Sequence, residues 1–251
     1  MYLPRLPSRS MINILTKEIS GFLHSLIAYV VIGVFLVGIG MLVWVFPESN
    51  ILDYGYADLG SFFSLVPFVL MFLIPAITMK MFAEERKTGT LEILMVKPVT
   101  TWSIVLGKYF AGLTLTIVAL LPTLIYYYST YQLASPVGNV DTAGIIGSYL
   151  GLILLATSFT AIGVLTSALT DSQVVAFIIA AFFSFLLFTG LNSLSGIDIW
   201  SDFSLFLSYL SLEYHYNAMS RGLLDSRDVV YFVSVDILLL FLTKLIVDWR
   251  R

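Results

Sequence analysis

The chain has 251 residues, 59% of them hydrophobic and 12% charged, with a mean hydropathy of +0.94. Soluble domains are about 45–50% apolar and about 25% charged, so this composition reads as an integral membrane protein. The formal charge of −3 leaves no footprint for nucleic acid, and the lack of cysteine excludes disulfides, thiolate metal sites and thiol nucleophiles.

In chain order, residues 1–10 (MYLPRLPSRS) read as a flexible extension and residues 11–251 as one transmembrane domain. Met11–His24 place Ile12, Leu15, Ile19, Phe22 and Leu23 on one helical face, the pattern of an amphipathic helix lying at a membrane interface. Six stretches are long enough to cross a bilayer, each needing about 20 apolar residues. They run near Phe22–Phe46, Gly60–Met79, Trp102–Tyr128, Gly144–Leu169, Val174–Leu194 and Val229–Val247. The first is too long for a signal-peptide core and no small-x-small cleavage site precedes Pro47, so it reads as retained. Continuously apolar runs of this length satisfy their backbone as helices rather than as a barrel, giving an all-α fold.

With the N-terminus inside, every Lys and Arg except Arg221 and Arg227 falls on the cytoplasmic side or at its helix ends. That bias places both termini in the cytoplasm and requires an even number of spans. The outer loops are acidic, and Tyr126, Tyr127, Tyr128 and Tyr131 mark an interfacial aromatic belt on span three. His24 and His215 then lie on opposite sides and cannot share a metal. Gly107-Lys108 lacks the rest of a phosphate-binding loop, so the chain is expected to be no enzyme and to hydrolyse no ATP itself.

The segment between spans two and three carries the most information: Glu84-Glu85-Arg-Lys-Thr-Gly89-Thr90-Leu91-Glu92-Ile-Leu94-Met95-Val-Lys-Pro98. Thr90 is an expected N-cap, with Glu92 near the positive end of the helix dipole. Pro98 disfavours helix at Lys97 and ends the element after about two turns. Leu91, Leu94 and Met95 form an apolar knob at i, i+3, i+4. Two turns are marginal in isolation, so this helix needs a partner surface. Lys17 or Glu18 of the interfacial helix is placed to pair with the Glu84–Lys87 cluster.

This run, with Gly107-Lys108 beyond it, resembles the cytoplasmic signature of ABC-2 type transporter permeases. The likeness extends to six spans, to the N-terminal interfacial helix and to the outer segment Leu212–Asp228, which is similar to the family's re-entrant outer region. Within the family the chain most resembles gliding-motility-associated permease subunits of the GldF type. The resemblance implies a permease subunit that binds a cytoplasmic ABC ATPase, which would be GldA-like and would hold the ATP and Mg. It also implies a second permease chain, GldG-like or a second copy of this one. By position, Glu84, Glu85, Gly89, Thr90, Leu91, Glu92, Leu94, Met95 and Pro98 would form the ATPase-coupling segment. The complex would drive export or transmit force across the membrane.

Asp236 is a candidate intramembrane polar site, because an ionised side chain inside a span is costly and normally faces the bundle interior or water. It could equally sit near the outer interface as a helix N-terminal acid. Lys108 and Lys244 are close enough to the inner face to snorkel, and an Asp236–Lys108 pair is disfavoured by depth. Gly147 and Gly151 favour close helix packing, within the chain rather than at a dimer seam. Residues 193–228 carry an apolar stripe at Ile199, Phe203, Phe206, Leu207 and Leu210 that suits a segment dipping back into the outer leaflet. Two readings from other classes stand beside the permease: an ATP-independent channel or secondary transporter, and an anchor for envelope proteins. The first predicts an internal hydropathy repeat and several intramembrane charges; none of the former is visible.

Overall fold

The structure, a computed structural model, describes residues 7–55, 57–96, 98–196, 203–222 and 225–250. Among them six helical stretches are long and apolar enough to span a membrane: Leu26–Trp44, Gly60–Lys87, Thr101–Leu133, Thr142–Leu169, Gln173–Ser195 and Ser226–Trp249. The chain is thus all-helical and multi-pass. We label α1 (Pro7–Leu23), α2 (Leu26–Trp44), α3 (Gly60–Thr78), α4 (Lys80–Lys87), α5 (Thr90–Val96), α6 (Thr101–Leu120), α7 (Leu124–Leu133), α8 (Thr142–Leu169), α9 (Gln173–Phe185), α10 (Leu191–Ser195), α11 (Ser204–Tyr209), α12 (Leu212–Met219) and α13 (Ser226–Trp249).

Local chemistry sets most of these boundaries. The helices α2, α6, α8, α12 and α13 begin behind Ser25, Thr100, Asp141, Ser211 and Asp225, whose side-chain oxygens accept first-turn amides. Span three breaks into α6 and α7 at a 3-10 turn holding Pro122. Span two runs through Pro67 and Pro75 and continues across Met79 into α4. Pro67 has no amide to give the carbonyl of Phe63 four residues back. The Tyr216 hydroxyl of α12 donates to that carbonyl at 2.6 Å. A proline in one span thereby creates the docking point for another helix.

Span four (α8) forms the centre: 72% of its most apolar stretch is buried, against 22% for spans one, five and six. Small residues allow this. A Cβ on Gly163 would stand 2.1 Å from Thr78 Oγ1, and one on Gly112 of α6 would stand 2.9 Å from Thr160 Cγ2. Gly147 and Gly151 meet Gly222, Met219 and Tyr216, so they serve contact within the chain, with the α12 segment.

Several expectations shift. Helix α1 starts at Pro7, so residues 7–10 are helical, while residues 1–6 lie outside the described residues. Phe22 closes α1 rather than opening span one. The buried side of α1 is Ile14 and Phe22, flanked by half-buried Leu15, Glu18 and Ile19, while Ile12 and Leu23 point away. Glu18 turns inward because a cation waits there, as described below. In the 193–228 stretch, Ile199 lies outside the described residues, and Phe203, Phe206 and Leu210 are exposed.

Candidate functional site

The elements that follow span two converge with α1, α6 and the end of α8 at the basic end of the bundle. The turn between α4 and α5 is closed by Gly89, whose φ of +68° suits a residue without Cβ. Thr88 Oγ1 donates to the Glu84 carbonyl at 2.9 Å and Thr90 Oγ1 to the Glu85 carbonyl at 3.2 Å. Thr90 therefore caps the end of α4 rather than the start of α5, where it is already helical.

Within α5, Leu91 is 7% exposed and Leu94 is half-buried against the core, so both face the bundle. Glu92 is exposed and Val96 is 87% exposed, so these two form the outward side. Met95 is helical but its side chain lies outside the described residues, as does Lys97; Pro98 is exposed. Glu84 is exposed too, whereas Glu85 is buried.

Glu85 is buried because it joins a closed ring of alternating charge. Lys17 Nζ of α1 lies 2.6 Å from Glu85 Oε1. Lys108 Nζ of α6 lies 2.9 Å from Glu85 Oε2 and 2.8 Å from Glu18 Oε1, and donates to the Met81 carbonyl at 2.5 Å. Two cations and two anions cancel, and each carboxylate touches an ammonium, which is the condition for keeping charge out of water. Lys108 is fully buried and does not snorkel. It reaches α1 because its neighbour Gly107 lets α1 approach, a Cβ there standing 3.0 Å from Ile14. The expected pairing of Lys17 with the Glu84–Lys87 cluster is present, through Glu85. Burial pulls the Lys17 ammonium down, but the hydrogen bond to Glu85 and the charges of Glu85, Glu18 and Glu84 outweigh it, holding it above its ordinary 10.5.

A second set of contacts fixes α4 to α8. Ser167 Oγ accepts from the amides of Phe82 and Ala83 at 3.0 and 3.2 Å and donates to the Met79 carbonyl at 2.9 Å. These bonds satisfy the backbone where span two passes into α4. Arg86 donates to the Ala168 carbonyl at 2.8 Å and pairs with Asp171 at 2.8 Å. Arg250 donates to the Leu169 carbonyl at 3.0 Å. Beside them a cavity of about 470 Å³ opens between α5, the end of α8 and the end of α13.

Asp236 stands eleventh in the 24-residue α13, well inside the span and 7% exposed, not at its end. Ser158 Oγ of α8 donates to it at 2.7 Å and Tyr109 of α6 at 3.2 Å. Tyr109 adjoins Lys108 in sequence, so depth does not separate Asp236 from Lys108. Successive helix positions point about 100° apart, and Lys108 faces α1 while Tyr109 faces α13. Lys244 pairs with Asp248 at 2.6 Å, and Thr101 donates to Asp248 at 2.6 Å, which ties α13 to the start of α6.

The sequence reading missed Ser167, Tyr109 and Ser158, and placed Lys108 in the wrong environment. Gly107-Lys108 was the available signal: a glycine beside a lysine inside an apolar run marks a close helix approach that leaves the lysine no route to water.

Comparison with known proteins gives two findings. The profile described as ABC-2 family transporter protein matches residues 12–247. The proteins named "Probable multidrug ABC transporter permease YbhR" from Escherichia coli K12 and from Escherichia coli O157:H7 are each 27% identical over 128 residues. The match covers 51% of this chain and 32% of each relative, so it spans about a third of the length of those curated relatives.

Proposed function

The chain belongs to the ABC-2 transporter family, a family of non-catalytic membrane components, and from that premise we propose that it couples a partner's ATP hydrolysis to rearrangement of its own spans. The observation that carries the proposal is the mounting of α4 and α5. This element is bound to α1 through Lys17, to α6 through Lys108 and to α8 through Ser167 and Arg86, yet Glu92 and Val96 remain outward. A force applied to those two side chains would reach spans two, three and four without first deforming a loose loop. In this reading Leu91 and Leu94 hold the lever to the bundle, and Glu84, Gly89, Thr90, Glu92, Val96 and Pro98 face the ATPase, which binds ATP and Mg.

The basic end then faces the cytoplasm with both termini, in the bacterial inner membrane, and a second permease chain completes the pathway. Overall likeness to the GldF type favours gliding motility as the setting, with GldA-like and GldG-like partners. The similarity to permeases named for multidrug transport favours export of a small molecule instead. Gentle purification from the native host, with mass spectrometry of co-purifying chains, separates these settings by the partners found.

The direct test replaces Val96 with Asp and Glu92 with Lys. Both side chains are exposed, so membrane insertion and thermal stability are expected to match the wild type. Association with the ATPase, and stimulation of its hydrolysis, are expected to be lost. Undiminished association would overturn the coupling role of α5.

A further inference from the structure

At the acidic end of the bundle, α12 is held by two adjacent side chains. Tyr216 hooks it to span two through the carbonyl that Pro67 leaves free. His215, 8% exposed, ties it in the other direction. Its Nδ1 lies 2.7 Å from Asp228 Oδ1 in the first turn of α13, and its Nε2 lies 3.0 Å from the Tyr209 carbonyl at the end of α11. The ring stacks on Tyr231 of α13 with centroids 3.8 Å apart and planes 20° apart, and the Tyr231 hydroxyl donates to the Leu210 carbonyl at 2.6 Å. One imidazole thus joins α11, α12 and span six.

Both ring nitrogens face oxygens that only accept. A carbonyl has no proton to give, and an ionised carboxylate has none either. Neutral imidazole carries one N–H, so one of the two contacts would set a lone pair against a lone pair. Only the imidazolium donates at both ends, and its charge also suits the face of the Tyr231 ring. The titratable groups facing His215 are Asp228 and Tyr231 from α13 and Tyr214 of α12, with the Tyr209 ring packed on Tyr214 behind it. Among side chains, histidine is the one whose ordinary charge change falls between about pH 5 and 8, whereas tyrosines ordinarily titrate near 10.

We propose that His215 is a proton-operated latch: doubly protonated, it holds α11 and α12 against span six, and loss of one proton frees this segment at the acidic end of the bundle. The latch is independent of the coupling reading: among the described residues, the hydrogen bonds, ion pair and ring contacts of His215 all run to α11, α12 and α13. Protonation stabilises the closed arrangement, so low pH favours closure and rising pH favours release. The segment it governs packs on Gly147 and Gly151 of the central span, so release would loosen the end of the bundle around α8.

The test uses the full chain in lipid nanodiscs, with hydrogen–deuterium exchange of residues 204–222 at pH 5.5 and 8.0, corrected for the intrinsic pH dependence of exchange. Losing one charge-assisted hydrogen bond is expected to lower protection roughly tenfold or more at pH 8.0, with protection of α8 outside its first turns unchanged. His215→Gln, which carries no titratable proton, is expected to exchange alike at both pH values. Equal protection of the wild type at both values, or a pH dependence that survives in His215→Gln, overturns the latch. If His215→Gln does not fold, the proton count is read directly. The chain has two histidines, so His24→Gln leaves one ring to observe by nitrogen-15 NMR. Two N–H groups on that ring in the protected state support the latch, and a single N–H in that state refutes it.

Discussion

Replacing Lys108 with methionine keeps the length and the apolar stem of the side chain but removes the ammonium that three groups share. Glu18 Oε1 and Glu85 Oε2 lose contacts of 2.8 and 2.9 Å, and the Met81 carbonyl loses its donor. The two carboxylates retain little water, with 13% and 11% of their side chains exposed, and Lys17, itself 63% exposed, remains as their only partner in the ring. Breaking a buried pair from one side costs about 3–5 kcal/mol. At 1.4 kcal/mol per factor of ten, that is roughly a 100- to 4,000-fold shift in the unfolding equilibrium. The assay is equilibrium unfolding in lipid bicelles, with Lys108→Met compared against the triple variant that adds Glu18→Gln and Glu85→Gln. The triple variant removes the stranded charge, so it is expected to recover most of the loss. Wild-type stability in Lys108→Met, or a triple variant no better than the single, would refute the claim that these charges balance one another.

Lys17 supplies a pH prediction with a definite sign. Its folded value lies above its ordinary 10.5, so its contribution is fully present below 10.5 and is lost as pH rises through the folded value. The stability gap between wild type and Lys17→Met, followed by thermal unfolding, should stay constant from pH 7 to 9 and close above 10.5. Tyr216→Phe strands the Phe63 carbonyl that Pro67 cannot serve and should cost about 1–3 kcal/mol. Adding Pro67→Ala, which restores the missing amide, should return part of it in the same unfolding assay. Asp236→Leu deprives Ser158 and Tyr109 of their acceptor and should destabilise by about 1–3 kcal/mol. Asp236→Asn, which still accepts from Ser158, should cost less.

Six spans, their approximate limits, the helical class and the two chemically distinct ends could be read along the chain. Each is a property of about 20 consecutive residues, and averaging over that length hides errors of a few positions. The short helix between Thr90 and Pro98 was similarly local. The direction in which side chains point was not. Leu91 and Leu94 read as an exposed knob, because the spacing shows that they share a face and not what that face meets. Glu18 and Lys108, ninety positions apart, looked like an interfacial charge and a snorkelling lysine until helix packing set them in contact.

What the sequence determined by itself, then, is how often the chain crosses a bilayer and which family signature it carries between spans two and three. Hydropathy and short-range spacing suffice for both. Tertiary structure alone decided which charges are neutralised inside: the ring of Lys17, Glu85, Lys108 and Glu18, Asp236 beneath two hydroxyls, and His215 between two acceptors. A buried polar group takes its partner from whichever helix packs against it, and that depends on the fit of surfaces formed by residues far apart in the chain.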